Sequence, residues 1–199
     1  MDSRIKNILI VGVGGQGVLL ASELLSEAAI MSGLDAKKSE VHGMSQRGGV
    51  VTSHVRMGKK VYSPIIPYGQ ADIVLSFEQA EGLRAIDWLA PQGRMIVSKT
   101  RLVPPIANFG KFGYPDDPIG ELKKRTPNVI AVDADRMALE LGNIRLVNTI
   151  LLGVASSFLD FKRETWEEAI RTLVKANFVD VNLKAFAQGQ TLAAGAVTA

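Results

Sequence analysis

The feature that most constrains this chain is an apolar run, Ile8-Leu9-Ile10-Val11, that enters a glycine-rich turn and then an apolar helical pattern. The turn reads VGVGGQG, and Gly12, Gly14 and Gly17 carry the spacing G-x-G-x-x-G. Residues 5–13 have the continuous β-branched character of a buried strand. Over 15–32, Val18, Leu19, Ala21, Leu24, Leu25, Ala28 and Ala29 form one helical face, and Gly33 is a stop. A strand, a glycine turn and a helix open an α/β unit with a Rossmann-like start. Strands and helices alternate onward, which predicts a three-layer α/β/α domain.

The remaining chain predicts further elements. Residues 35–41 form a polar, charged segment, and HGMSQRGG at 42–49 is a loop by composition. Strands are expected at 50–57, 71–78, 94–99 and 128–134, with 61–63 returning as a hairpin partner of 50–57. Helices are expected at 79–90, ended by Pro91-Gln92-Gly93, and at 119–126, 135–142, 144–160, 163–176 and 180–188. Residues 100–118 carry four prolines and read as a long loop. No linker divides residues 1–199, so one domain is expected, with 190–199 fraying at its end.

Composition removes several classes of function. The chain has no cysteine, so it supplies no disulfide, thiolate nucleophile or cysteine ligand for an iron–sulfur cluster. Two histidines, His42 and His54, make a histidine-rich metal site a poor expectation. No metal ligand and no catalytic residue is assigned. A net charge of +3 comes without a basic, aromatic-interleaved patch, so nucleic acid is not an expected partner. Lys123-Lys124-Arg125 reads as a solvated helix end. Neither a secretory signal nor an apolar run of membrane-spanning length is evident, and the expected compartment is the cytoplasm.

The glycine turn admits three readings. Glycines let a ligand approach the backbone, and a helix N-terminus offers N–H groups to an anion. A dinucleotide site further needs an acid about 20 residues on to hold a ribose, and Glu40 is only loosely placed for this. The glycines can instead serve nothing but close packing of the helix. In the loop, Arg47 beside Gly48 and Gly49 suits a carboxylate or phosphate, and Ser45 and Gln46 add hydrogen-bonding groups. An internal ion pair of Arg47 is the plainer alternative. Glu78, with Glu81 three residues on, stands at a strand end, where the role of helix cap outweighs that of ligand.

VGVGGQGVLLASELLSEAA and EVHGMSQRGGVVTSHVR together resemble the gamma-type subunit of 2-oxoacid:ferredoxin oxidoreductases. The resemblance continues through SPIIPYGQADIVLSFEQAEGLRA, LGNIRLVNTILLG and NLKAFAQG, and the GMSQRGG wording is most similar to the indolepyruvate branch. It implies the fold of domain III of pyruvate-ferredoxin oxidoreductase. It also implies an accessory subunit of a complex that oxidatively decarboxylates a 2-oxoacid, an aryl pyruvate such as indolepyruvate, to acyl-CoA while reducing ferredoxin. Thiamine diphosphate with magnesium and the [4Fe–4S] clusters would then sit in the partner subunit, and coenzyme A would be the co-substrate. Carried onto this chain, Gly12, Gly14, Gly15, Gln16 and Gly17 line a phosphate-approaching turn. Ser45, Gln46, Arg47, Gly48 and Gly49 form a loop facing the partner or the coenzyme. A stand-alone NAD- or FAD-dependent oxidoreductase and a ligand-free interaction module are the alternatives. Without its partner, the chain can cover an apolar interface by forming a homodimer.

Overall fold

A computed structural model describes residues 4–43, 49–103 and 113–197, with the backbone alone for His42 and 195–197. Six strands form one mixed sheet: β1 (Lys6–Val13), β2 (Asp35–His42), β3 (Val50–Gly58), β4 (Ala71–Ser76), β5 (Leu89–Ser98) and β6 (Val129–Val132). The helices are α1 (Val18–Met31), α2 (Gln79–Arg84), α3 (Pro118–Arg125), α4 (Ala134–Glu140), α5 (Val147–Ser156), α6 (Arg163–Leu173) and α7 (Val179–Val197). Strand order is β2-β3-β1-β4-β5-β6. β1, β4, β5 and β6 run parallel, and β3 is antiparallel to both β1 and β2.

Strand alternation divides the core into two layers. Ile8, Ile10, Ile73, Leu75 and Ile96 pack beneath α1, α5, α6 and α7. Leu9, Val11, Val74, Met95 and Val97 face the opposite side, where Leu122 of α3, Ala85 and Ile66 cover them. The three-layer expectation therefore holds.

Several local expectations are corrected. The charged segment 35–41 is strand β2, paired with β3 from Asp35 opposite Gly58 to His42 opposite Val51. It occupies a sheet edge, where backbone pairing needs no apolar alternation and charged side chains discourage further pairing. The hairpin partner of β3 thus precedes it; Val61–Ser63 is not a strand. The helix expected over 79–90 stops at Arg84, followed by a 3-10 turn at Ile86–Trp88. Pro91, Gln92 and Gly93 already belong to β5, where the pairing with β4 shifts between Ala71–Leu89 and Ile73–Arg94. That irregularity accommodates the proline. The helix expected over 144–160 is a 3-10 turn at Ile144–Leu146 and then α5, which ends at Ser156. α7 continues to Val197, beyond the 188 expected.

α5 and α7 cross at two glycines. A Cβ at Gly153 would lie 2.2 Å from the Phe186 carbonyl oxygen, and one at Gly189 would lie 2.1 Å from the Ile150 carbonyl oxygen. Thr149 donates its hydroxyl to Asn182 Oδ1 across the same crossing, at 2.6 Å. His54 of β3 is 6% exposed, and its Nδ1 accepts the Ile66 N–H at 3.2 Å. The ring is therefore neutral, with its proton on Nε2, and it ties the connection after β3 to the sheet.

Two outcomes follow from these contacts. Gly153→Ala is expected to cost about 1–3 kcal/mol, because the obstructing atom is backbone and cannot swing aside. A lowered urea midpoint at unchanged slope would register it. Burial holds His54 below the ordinary imidazole value of 6.5. As pH falls below 6.5, the unfolded chain takes up a proton that the folded chain refuses, so stability declines towards the depressed folded value. Urea midpoints measured across that range should fall, and His54→Asn should flatten the slope.

Candidate functional site

The glycine turn links β1 to α1 at the carboxyl edge of the parallel strands, where open α/β sheets bind ligands. Gly12 is close-packed: a Cβ there would meet Gln16 Oε1, Phe77 Cβ and Val18 Cγ2, each at 3.0 Å. Gly15 and Gly17 adopt φ of +98° and +85°. Gly15 faces open space, whereas a Cβ on Gly17 would stand 2.7 Å from Asn148 Nδ2. Gln16 braces the turn: its Oε1 accepts the Val13 N–H at 2.7 Å, and its Nε2 donates to the Phe77 carbonyl at 2.8 Å. Both ends of that amide are thus engaged by backbone.

Gly14 donates its N–H to the Gly49 carbonyl at 2.9 Å. This bond brings together the two motifs singled out from sequence, the turn and the end of the β2–β3 connection. Ser45, Gln46, Arg47 and Gly48 lie outside the described residues, as does the side chain of His42.

A cleft of about 550 Å³ opens beside the turn. Leu20, Leu102, Leu139, Ile144 and Val147 form its apolar wall. Thr100, Asp135, Arg145 and Asn148 add polar groups, alongside Gly15, Gln16 and Gly17. α1 begins at this cleft with neither a capping side chain nor an acidic residue in its first turn. Its leading N–H groups therefore have no intrahelical acceptor.

Sequence reading did not single out Asn148. The signal available was a polar side chain inside the apolar run Leu146–Leu152, on a helix whose every residue is buried. Glu78 is the cap expected: its Oε2 accepts the Ala80 and Glu81 N–H groups at 2.8 and 3.0 Å. Its second role was not legible. Oε1 accepts the Leu102 N–H at 3.1 Å and the Tyr114 hydroxyl, so one carboxylate joins Leu102, which lines the cleft, to Tyr114. Burial, then the bond to Glu78, pushes the Tyr114 hydroxyl far above its ordinary value. Burial also raises Glu81, partly offset by its ion pair with Arg84.

Glu40, the candidate ribose acid, sits on β2 and pairs with Lys38 at 3.0 Å. β3 separates its strand from β1. Two strand spacings, about 10 Å, set it away from the position that a dinucleotide fold requires.

Comparison with known proteins agrees with this geometry. Residues 7–192 match the family described as pyruvate ferredoxin/flavodoxin oxidoreductase. The indolepyruvate oxidoreductase subunit IorB of Archaeoglobus fulgidus is 42% identical over 92% of both chains. Among solved structures, the gamma subunit of a keto/oxoacid ferredoxin oxidoreductase from Geobacter sulfurreducens superposes with a TM-score of 0.72 at 24% identity, covering 96% of this chain and 99% of that one. The 2-oxoglutarate:ferredoxin oxidoreductase of Magnetococcus marinus, solved with 2-oxoglutarate, coenzyme A and succinyl-CoA, gives 0.75 at 20% identity, covering 98% of this chain and 32% of that one. Those two likenesses concern the fold. With most of its length matched, the chain belongs to the pyruvate ferredoxin/flavodoxin oxidoreductase family.

Proposed function

We propose that this chain is the small accessory subunit of a cytoplasmic complex that oxidatively decarboxylates indolepyruvate, or another aryl pyruvate, to the acyl-CoA and reduces ferredoxin. The observation carrying this reading is the 42% identity, over nearly full length, to a subunit named for indolepyruvate oxidation. The chain alone is not catalytic. Without cysteine it offers no thiolate to a [4Fe–4S] cluster, and those clusters, thiamine diphosphate and magnesium are assigned to the partner. Among the described residues, no helix is long and apolar enough to cross a membrane.

Within the complex, this chain supplies a face that shapes and closes the coenzyme A path. Gly12 and Gln16 hold the turn rigid, while Gly14, Gly15 and Gly17 bring backbone close to the coenzyme. The Gly14–Gly49 bond supports the reading because it ties that turn to Gly49, the residue that follows the Ser45–Gly48 motif in sequence. Coenzyme A would supply the thiol that accepts the acyl group; this chain would hold and orient its anionic portion. The stand-alone dinucleotide reading loses its ribose acid to β3 and Lys38.

Affinity purification of the chain from its native cytoplasm should recover a larger, cysteine-bearing, thiamine-binding partner with indolepyruvate-dependent ferredoxin reduction. Recovery of the chain alone with a bound dinucleotide would sink the proposal. In the assembled complex, Arg47→Ala should weaken coenzyme A binding about tenfold, the loss of one charge-assisted contact. Unchanged affinity in an intact complex would leave the loop with an interface role only.

A further inference from the structure

The connection between β3 and β4 shows large apolar side chains to solvent, yet its backbone is held at many points. Tyr62 is 86% exposed, Tyr68 66% and Ile65 49%. Val61 and Ile66, in the same segment, are buried and anchor it. Arg56 Nη1 donates to the Ser63 carbonyl at 2.9 Å and to the Ile65 carbonyl at 3.3 Å. The His54 ring takes the Ile66 N–H, and the Asp35 carboxylate takes the Val61 N–H at 2.9 Å. Pro64 and Pro67 restrict the backbone further. Tyr68 stacks on Trp88 with ring centroids 4.1 Å apart, and the Gly69 N–H is donated to the Asp87 carbonyl. Aromatic side chains shown on a pre-organised backbone lose little freedom on association, and Tyr, Trp and Arg are the residues that dominate protein interfaces.

The same segment borders a basic cavity. It lies at the amino edge of the parallel strands, away from the glycine turn, and measures about 390 Å³ between Arg4, Asn7, Arg56, Gly69 and Gln70. Arg56 is fixed there: its Nε donates to Asn7 Oδ1 at 2.9 Å, while Nη1 serves the two carbonyls. All three acceptors are neutral oxygens, so among the described residues Arg56 meets no carboxylate. Asn7 is itself committed, its Nδ2 donating to the Gln70 carbonyl at 2.8 Å. Arg4 pairs with Asp72, which leaves the charge of Arg56 unmatched. An acidic side chain entering this cavity would complete a charge-assisted pair with a guanidinium already held in position.

We infer that the β3–β4 connection is a docking surface for a segment of the companion subunit in which an acidic residue is flanked by apolar ones. The carboxylate pairs with Arg56, and the apolar side chains cover Tyr62 and Tyr68. The inference rests on the reading of this chain as an accessory subunit. It gives assembly a contact that the cleft beside the glycine turn does not share.

The test uses the full chain and the assembled complex. Photoreactive benzoylphenylalanine in place of Tyr62 should cross-link to the cysteine-bearing, thiamine-binding subunit, within a peptide that contains aspartate or glutamate. Tyr62→Ser changes an almost fully exposed side chain, so its urea midpoint should match wild type while its affinity for that subunit falls about tenfold. Wild-type binding should weaken as sodium chloride is raised. Arg56→Gln should bind about tenfold more weakly and flatten that salt dependence, whereas Tyr62→Ser should keep the wild-type slope. A wild-type slope in Arg56→Gln would mean that only the shape of the segment was lost, and would overturn the carboxylate pairing. Unchanged affinity of Tyr62→Ser in a complex that assembles, or a cross-link joining two copies of this chain, overturns the inference and leaves the accessory-subunit reading standing. Failure of wild type to recover any thiamine-binding subunit removes that reading, and this inference with it.

Discussion

β3 lies between β1 and β2, antiparallel to both, and much of the structure depends on that placement. The strand consumes the hydrogen-bonding edge of β1 that a parallel second strand would otherwise take. It forces β2 to the sheet edge, and this explains why β2 can be charged. It also returns the chain to the glycine turn, where the Gly14 N–H meets the Gly49 carbonyl. A turn that in isolation resembles a dinucleotide fingerprint is thereby attached to a second motif and separated from its ribose acid.

The turn is rigid on one side and open on the other. Gln16 spends both ends of its amide on the Val13 N–H and the Phe77 carbonyl, joining β1 to the end of β4. Gly15 and Gly17 then take positive φ without strain. Glu78 does comparable work for the opposite wall, fastening Leu102 and Tyr114 to the first turn of α2. The cleft is thus bounded by two small clamps, each made of one side chain: Gln16 pairs with one backbone donor and one backbone acceptor, and Glu78 accepts from several donors. Such paired side chains confer local rigidity on the walls of the cleft.

Elements built from their own apolar pattern were legible. The strand at 5–13, the helix after it, β4 and the carboxyl half of β5 carry continuous apolar runs, and their burial follows from composition. β2 was not legible, because an edge strand held by backbone pairing leaves no hydrophobic period to read. The start of β5 was hidden for a related reason: Pro91 and Gly93 signal a break, yet the shifted pairing with β4 absorbs them. Of the candidate site, the glycine turn was visible through its spacing. Asn148 was hidden, because one polar residue in a buried helix says nothing about which turn it will touch 131 positions away.

What the sequence by itself determined is the class of fold, the absence of thiolate chemistry and the family motifs, all set by local composition and spacing. The tertiary structure alone decided that the two motifs touch, that Glu40 stands two strands from β1, and that Asn148 faces Gly17. Each of these is a pairing between segments far apart in the chain. The physical reason is that register, strand order and helix crossing are settled by the whole core at once, and no local pattern encodes them.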